Sequence, residues 1–389
     1  MASPSRIRAA KQARRDVAGR APRRSLTRYA GRTKMMLPIL VSEWCSSGGL
    51  AGPDAYAVAD DDRASLAREG RAMFLAVLRD AVRDGGFAVT ALVDEGFPAP
   101  FPPAVRVRRV PAGAEIDVLI AEATIADATL LVAPETAGIL ARRVAAVRAA
   151  GGRAIAASAG FIALAADKQA TIEALAAGGV PVPAGRSLAA GEAWPAGFHL
   201  PAVRKARAGA GGDDLTIVRP GLSPPAPAGQ AARLEAFAAG TPVGVSCLCG
   251  PRGILPLPAF RQHFAADAPG RFRGGEPLAD PHLDRRARDL ARRAIAAVAA
   301  TSDRGNPGAG PAGWIGVDII LGERADGRDD RVLEINPRLT SSFIGHSACR
   351  GTSLVRSIID AAAGRELHLP EPGGVAFSVA DDDPHRAAD

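Results

Sequence analysis

Two carboxylates and an amide embedded in apolar strands are the side chains best placed to do chemistry. In Val332-Leu333-Glu334-Ile335-Asn336-Pro337-Arg338, β-forming residues run up to a proline that cannot continue a ladder. Glu334 and Asn336 are two apart, so a strand points both to one face and Ile335 to the other. A carboxylate beside an amide oxygen suits a hard cation such as Mg²⁺, which shares its oxygen ligands with nucleotide phosphates. Arg338 follows as a cation able to hold phosphoryl or carboxylate oxygens. Upstream, Gly313-Trp314-Ile315-Gly316-Val317-Asp318-Ile319-Ile320 is a second apolar strand with one acid inside it. Such an acid is costly to bury unless paired or metal-bound. The segment Gly322 to Arg331, rich in Gly, Asp and Arg, predicts a hairpin that brings Asp318 near Glu334 and Asn336. The bland alternative is a solvated edge hairpin.

The elements that position these residues must come from a chain of 389 residues, long enough for two or three subdomains, with 47% apolar residues. No apolar run reaches membrane-spanning length. Cys45, Cys247, Cys249 and Cys349 are too few and scattered for a disulfide framework, and a reduced, cytoplasmic enzyme is expected. Residues 1–34 hold eleven Lys or Arg and one acid, a local charge of +10 against +7 for the whole chain, so the body is mildly acidic. That argues against a nucleic-acid-binding body. The tail (1–35) could be a nucleic-acid or membrane-surface arm or a targeting segment. It lacks an apolar h-region, and a disordered tail or mis-assigned start before Met35-Met36 is the favoured reading. Only four of the 48 basic residues are lysines, and outside the tail these are Lys168 and Lys205. In a chain that otherwise uses arginine, those two positions need a compact ammonium. Asn336 has one companion, Asn306.

In chain order, Leu37–Ser42 reads as a strand ending in Glu43-Trp44-Cys45-Ser46-Ser47-Gly48-Gly49, where backbone N–H groups could meet an anion. Ala64–Asp84 has helical apolar spacing. Strands are expected at Ala88–Val93, Ala104–Val110, Ala128–Ala133 and Arg153–Ala157, with a helix from about Glu135 to Ala150. This alternation predicts a parallel α/β sheet. Glu135 lies just past a strand's carboxyl end, where such sheets bind ligands, though a first-turn helix acid is equally at home there. Asp167-Lys168 opens a helix to Ala177. Lys205 follows a short strand, and Gly209, Gly211 and Gly212 follow it; glycines let backbone N–H groups approach phosphates while the lysine supplies point charge. Leu215–Gln230 is proline-rich and reads as a surface loop. Asp280–Ala300 reads as a helix whose arginines are a solvated face, Ser353–Ala363 as a last helix, and residues beyond about Leu369 as disordered. His346 is read as structural, and so are Cys247 and Cys249, which share a strand face.

Taken together, Lys168, Lys205 with its glycine loop, Glu235 in Arg233–Ser246, and Asp318 with Glu334-x-Asn336-Pro337-Arg338 resemble the ATP-grasp superfamily in kind and order over roughly residues 36–370. The resemblance implies an α/β ATP-grasp fold with an N-terminal Rossmann-like (pre-ATP-grasp) parallel-sheet domain at 36–160. It further implies a small lid subdomain at 161–240, a metal and catalytic subdomain at 241–370 and a tail at 371–389. The implied chemistry is ADP-forming ligation of a carboxylate to an amine through an acyl phosphate. Asp318, Glu334 and Asn336 would hold Mg²⁺, with Mn²⁺ as an alternative. ATP would lie on Lys168, Lys205, Gly209, Gly211, Gly212 and Glu235, with Pro242 replacing an acid that often helps hold the ribose. Arg338 and Lys205 would act on the transferring group. The strings ILVSEWCSSGGL, APETAGIL and EINPRLTSS are similar to the tyramine–glutamate ligase family of methanofuran biosynthesis. That likeness implies a γ-glutamyl donor and a tyramine-like amine, with Ser46, Ser47, Gly48 and Glu135 on the acceptor side and Ser341 and Ser342 near the donor. Expected partners are small molecules, with neither membrane nor nucleic acid, and a homodimer is compatible. Other ATP-grasp specificities (amino-acid or peptide ligase, carboxylase) or a silent nucleotide-binding module are the alternatives.

Overall fold

Four apolar segments, β1 (Leu37–Glu43), β2 (Phe87–Asp94), β3 (Arg106–Val110) and β4 (Ala128–Val132), pair in parallel in the order β3-β2-β1-β4. The computed structural model describes residues 36–57, 60–98, 100–209, 215–266, 270–302, 310–349, 352–367, 369 and 373–379. The basic segment 1–34, Gly211, Gly212 and Asn306 lie outside the described residues. Strand β1 is apolar from Leu37 to Val41 because both faces are covered, as in other parallel sheets. Ile39 and Val41 pack with Phe74, Val77 and Leu78 of α1 (Asp60–Asp84), while Leu40 packs with Leu119 of α2 (Glu115–Ala123) and Ile139 and Val144 of α3 (Ile139–Ala149). The expected helix from Glu135 begins instead as a 3₁₀ turn at Thr136–Gly138, and the strand expected at 153–157 reduces to one bridge between Thr129 and Ala154.

Two short helices lead into the middle of the chain. Ser158 caps α4 (Ala159–Ala165) by accepting from Phe161 N, and Asp167 caps α5 (Lys168–Ala177) by accepting from Gln169 N and Ala170 N. An antiparallel sheet follows, built from β5 (Gly185–Leu188), β6 (Ala202–Ala206), β7 (Thr216–Val218) and β8 (Ala232–Ala236) in the order β5-β8-β6-β7. Strand β7 falls inside the stretch expected to be loop.

The third sheet comprises β9 (Thr241–Gly250), β10 (Gly253–Pro256), β11 (Phe260–Phe264), β12 (Phe272–Pro277), β13 (Gly313–Leu321), β14 (Arg331–Asn336) and β15 (Phe377–Ser378). Its order is β14-β13-β9-β11-β12-β15, with β10 paired to β9. The segment expected to be disordered thus contributes β15, which pairs with Gly274 and Gly275. Helix α6 (Pro281–Ser302) buries Ala287, Leu290, Ala291, Ala294, Ile295 and Val298 in the shared core and leaves Arg285, Arg292 and Arg293 exposed. Helices α7 (Ser342–Ser347) and α8 (Leu354–Ala362) close the chain against α1. Cys247 and Cys249 are unpaired and fully buried in β9. No helix among the described residues is long and apolar enough to cross a membrane.

Candidate active site

The β13–β14 hairpin sets Asp318 opposite Glu334 and Gly316 opposite Asn336. Asn336 Nδ2 donates to Asp318 Oδ2 at 2.8 Å, and Gln262 Nε2, from β11, donates to Oδ1 at 2.7 Å. Burial, then the facing charge of Glu334, push the Asp318 carboxyl up to about 7. Burial also works against the Glu334 carboxylate, but Lys168 and Lys205 outweigh it and hold Glu334 below the usual range. Two half-buried carboxylates kept close, one with a raised pKa, form a donor set that a divalent cation would relieve. Among the described residues no group of three His, Cys, Asp or Glu gathers as a metal site. Two acids and an amide match a cation that keeps water and phosphate in its shell.

Both body lysines reach this centre. Lys168 Nζ stands 3.2 Å from Glu334 Oε2 and donates to the Gly209 carbonyl at 2.5 Å. Burial opposes its charge, but Glu334 and Glu135 outweigh that and raise its pKa. Lys205 Nζ lies 2.8 Å from Glu235 Oε1 and donates to the Leu333 carbonyl at 3.3 Å. The second oxygen of Glu235 accepts from Arg233 Nε at 2.8 Å, and Arg233 also donates to Gln169 Oε1 and the Pro183 carbonyl. Both Glu235 oxygens are therefore engaged by cations. Its neighbours Ala236, Phe237 and Ala238 line the cavity at the link between the second and third sheets.

Arg338 joins the third sheet to the first. Its Nε donates to Glu135 Oε2 at 2.6 Å. Burial opposes the guanidinium's charge, yet Glu135 more than compensates and its pKa is raised. Ser342 Oγ lies 2.7 Å from Ser246 Oγ and 2.9 Å from Thr340 Oγ1, which in turn accepts from Trp314 Nε1. Ser341 Oγ donates to Glu69 of α1, an acid absent from the sequence reading. The Ser46-Ser47-Gly48 turn stands apart from this group. Its backbone does meet a carboxyl group, but it is the chain's own Glu43, whose pKa burial raises: Cys45 N and Ser46 N donate to its two oxygens at 3.0 and 2.8 Å, and Ser46 Oγ at 2.6 Å. Ser47 Oγ donates to the Leu92 carbonyl, so both serines are buried and spent internally; Gly48 turns the chain at φ 90.

Lys168, Lys205, Asp318, Glu334, Asn336, Arg338, Ser341 and Ser342 all line one cavity of about 450 Å³ between the second and third sheets, whose other walls include Val203, Ile217, Ile320 and Leu333. Residues 165–342 match the ATP-grasp domain model, and 87–161 match the pre ATP-grasp 3 domain. The fold is that of the ATP-grasp superfamily. Among solved structures, a protein assigned to that superfamily from Archaeoglobus fulgidus shares 23% identity at TM-score 0.61, covering 86% of this chain and 90% of that one. An L-amino acid ligase from Bacillus licheniformis shares 14% at 0.58, covering 85% and 75%. A carboxyaminoimidazole ribonucleotide synthase from Aspergillus clavatus, complexed with ATP, shares 15% at 0.57, covering 88% and 80%. At these identities the likeness is one of fold. No curated protein matches the sequence. Within the ATP-grasp frame, Glu69 and Gln262 are the site residues the sequence reading missed. Neither sits in a motif: one is an acid on a charged helix, the other the middle of Phe260-Arg261-Gln262-His263-Phe264.

Proposed function

We propose that the protein is an ATP-dependent, ADP-forming ligase that joins a carboxylate to an amine. The observation that carries this is the convergence, in one cavity, of both body lysines with Asp318, Glu334, Asn336 and Arg338. Phosphoryl transfer asks little covalent chemistry of a protein; it asks for positioning and for charge where charge develops. Lys168 and Lys205 are suited to hold nucleotide phosphates, and the carbonyl of Gly209 already anchors Lys168 at the edge of the glycine segment. Apolar Val203, Ile217, Ile320 and Leu333 suit a purine sandwiched between the sheets. Asp318, Glu334 and Asn336 would hold Mg²⁺, whose chemistry when bound is to neutralise phosphate charge. A substrate carboxylate takes the γ-phosphoryl group from ATP, releasing ADP, and Arg338 steadies the acyl phosphate while Glu135 fixes its guanidinium. An amine then displaces phosphate.

The finer reading takes the donor as the γ-carboxyl of glutamate and the acceptor as a tyramine-like amine, in a methanofuran-type cofactor pathway. It is supported by the resemblance of ILVSEWCSSGGL, APETAGIL and EINPRLTSS and by the pairing of Glu135 with Arg338. The test is incubation with ATP, Mg²⁺ and glutamate, with and without tyramine, reading ADP release and amide mass, with Glu334→Ala as control. Amine-dependent ADP and a glutamyl-tyramine amide lost in the variant are expected. ADP without that product would overturn the substrates, and no nucleotide binding would overturn the whole reading.

A further inference from the structure

The proposed chemistry leaves one acid of the cavity unused. Four carboxylates line it: Glu69, Glu235, Asp318 and Glu334. Glu235 pairs with Lys205 and Arg233, Glu334 pairs with Lys168, and Asp318 is held by two amides in the metal position. Among the described residues, Glu69 has no ion pair; its carboxylate accepts only from Ser341 Oγ. That serine sits at the N-cap of α7, where a hydroxyl ordinarily accepts from its own helix, yet its side chain makes no such cap and turns to Glu69 instead.

The placement of Glu69 is enforced by its neighbour. A Cβ at Gly70 would lie 2.5 Å from Glu43 Oε1. Glu43 is buried and pinned by three hydrogen bonds, so only glycine lets α1 come this close to the carboxyl end of β1. The same approach delivers Glu69 into the cavity, where its charge is felt by Arg338.

We propose that Glu69 binds the acceptor as an alkylammonium ion and removes its proton, which makes a cationic primary amine, rather than bicarbonate or a neutral nucleophile, the acceptor class. The assignment rests on the ligase reading above. An alkylammonium resembles lysine, with a pKa of about 10, and must lose a proton before it can attack. That proton passes to the Glu69 carboxylate. The nitrogen lone pair then forms the C–N bond at the acyl carbon, the C–O bond to phosphate breaks, and the second N–H proton leaves with the phosphate.

The test compares tyramine, putrescine and lysine with hydroxylamine, which is largely uncharged at neutral pH and traps acyl phosphates without a base. Wild type and Glu69→Gln are assayed with ATP, Mg²⁺ and glutamate, reading amide and hydroxamate separately. Glu69→Gln should lower kcat/KM for the alkylammonium substrate by about 10²- to 10⁴-fold, the usual worth of a positioned base, and hydroxamate formation far less. The amide rate of the variant should climb with pH more steeply than that of wild type. Equal losses with both nucleophiles, or no loss with either, would overturn the assignment. So would wild-type hydroxamate with no amide from any of the three amines. Wild type that binds no nucleotide would overturn the ligase reading itself, and this proposal with it.

Discussion

Replacing Arg233 with leucine should destabilise the fold by about as much as any single change outside the core. Arg233, Glu235 and Lys205 are each less than a tenth exposed, and both cation–carboxylate contacts are 2.8 Å long. Two unit charges about 4 Å apart at the effective dielectric of a protein attract by about 4 kcal/mol. Removing one partner of a buried pair costs about 3–5 kcal/mol, because the desolvation of the survivor is no longer offset. Glu235 keeps Lys205, which trims the cost, but the Pro183 carbonyl and Gln169 Oε1 lose their donors as well, which adds to it. A loss of about 4 kcal/mol in urea unfolding is expected for Arg233→Leu. Nucleotide affinity should fall too, since Glu235 then draws on Lys205 alone. Adding Glu235→Leu to make the double variant should recover part of the stability, because an apolar pair escapes the desolvation cost. A loss below about 1 kcal/mol, the worth of an exposed pair, would refute the triad as a structural element.

Glu334→Gln keeps the shape of the site but not its charge; kcat for ADP release should drop at least about 10²-fold, the equivalent of a few kcal/mol of lost charge stabilisation, and an unchanged rate would sink the metal assignment. Gly240 at the link between sheets has φ 144, and a Cβ there would lie 2.2 Å from the Leu321 carbonyl oxygen. Gly240→Ala should cost about 1–3 kcal/mol of strain and weaken ATP binding, checked by thermal melting and calorimetry. His346, edge-on to Phe260 at 4.7 Å, is held by burial down to about 4 from 6.5. The unfolded chain therefore takes up this proton first: stability is complete above about pH 6.5 and is lost as pH falls towards 4, by about 3 kcal/mol. His346→Leu should flatten that acid slope in denaturation measured from pH 7 to 4, and an identical slope would refute the assignment.

What was legible beforehand follows from how strongly each residue violates its surroundings. Asp318 and Glu334 are charges inside apolar strands, and Lys168 and Lys205 are lysines in an arginine chain, so their register and purpose could be argued from type alone. Glu69 violates nothing: Arg68, Glu69, Gly70 and Arg71 read as the solvated side of an amphipathic helix, and only the approach of α1 over Glu43, with Gly70 against it, brings Glu69 into the cavity. Gln262 was hidden for a related reason, since the carboxylate it holds, Asp318, is remote from it in sequence. The Ser46-Ser47-Gly48 turn presents the opposite case. Its amides do point at a carboxyl group, as a strand-to-loop turn should, and that group is Glu43, three residues before the turn. A motif that offers N–H groups thus carries functional weight only once the chain's own acids have been excluded as occupants. By the same logic Glu69, which among the described residues forms no ion pair, is where a cationic substrate has a place left to bind.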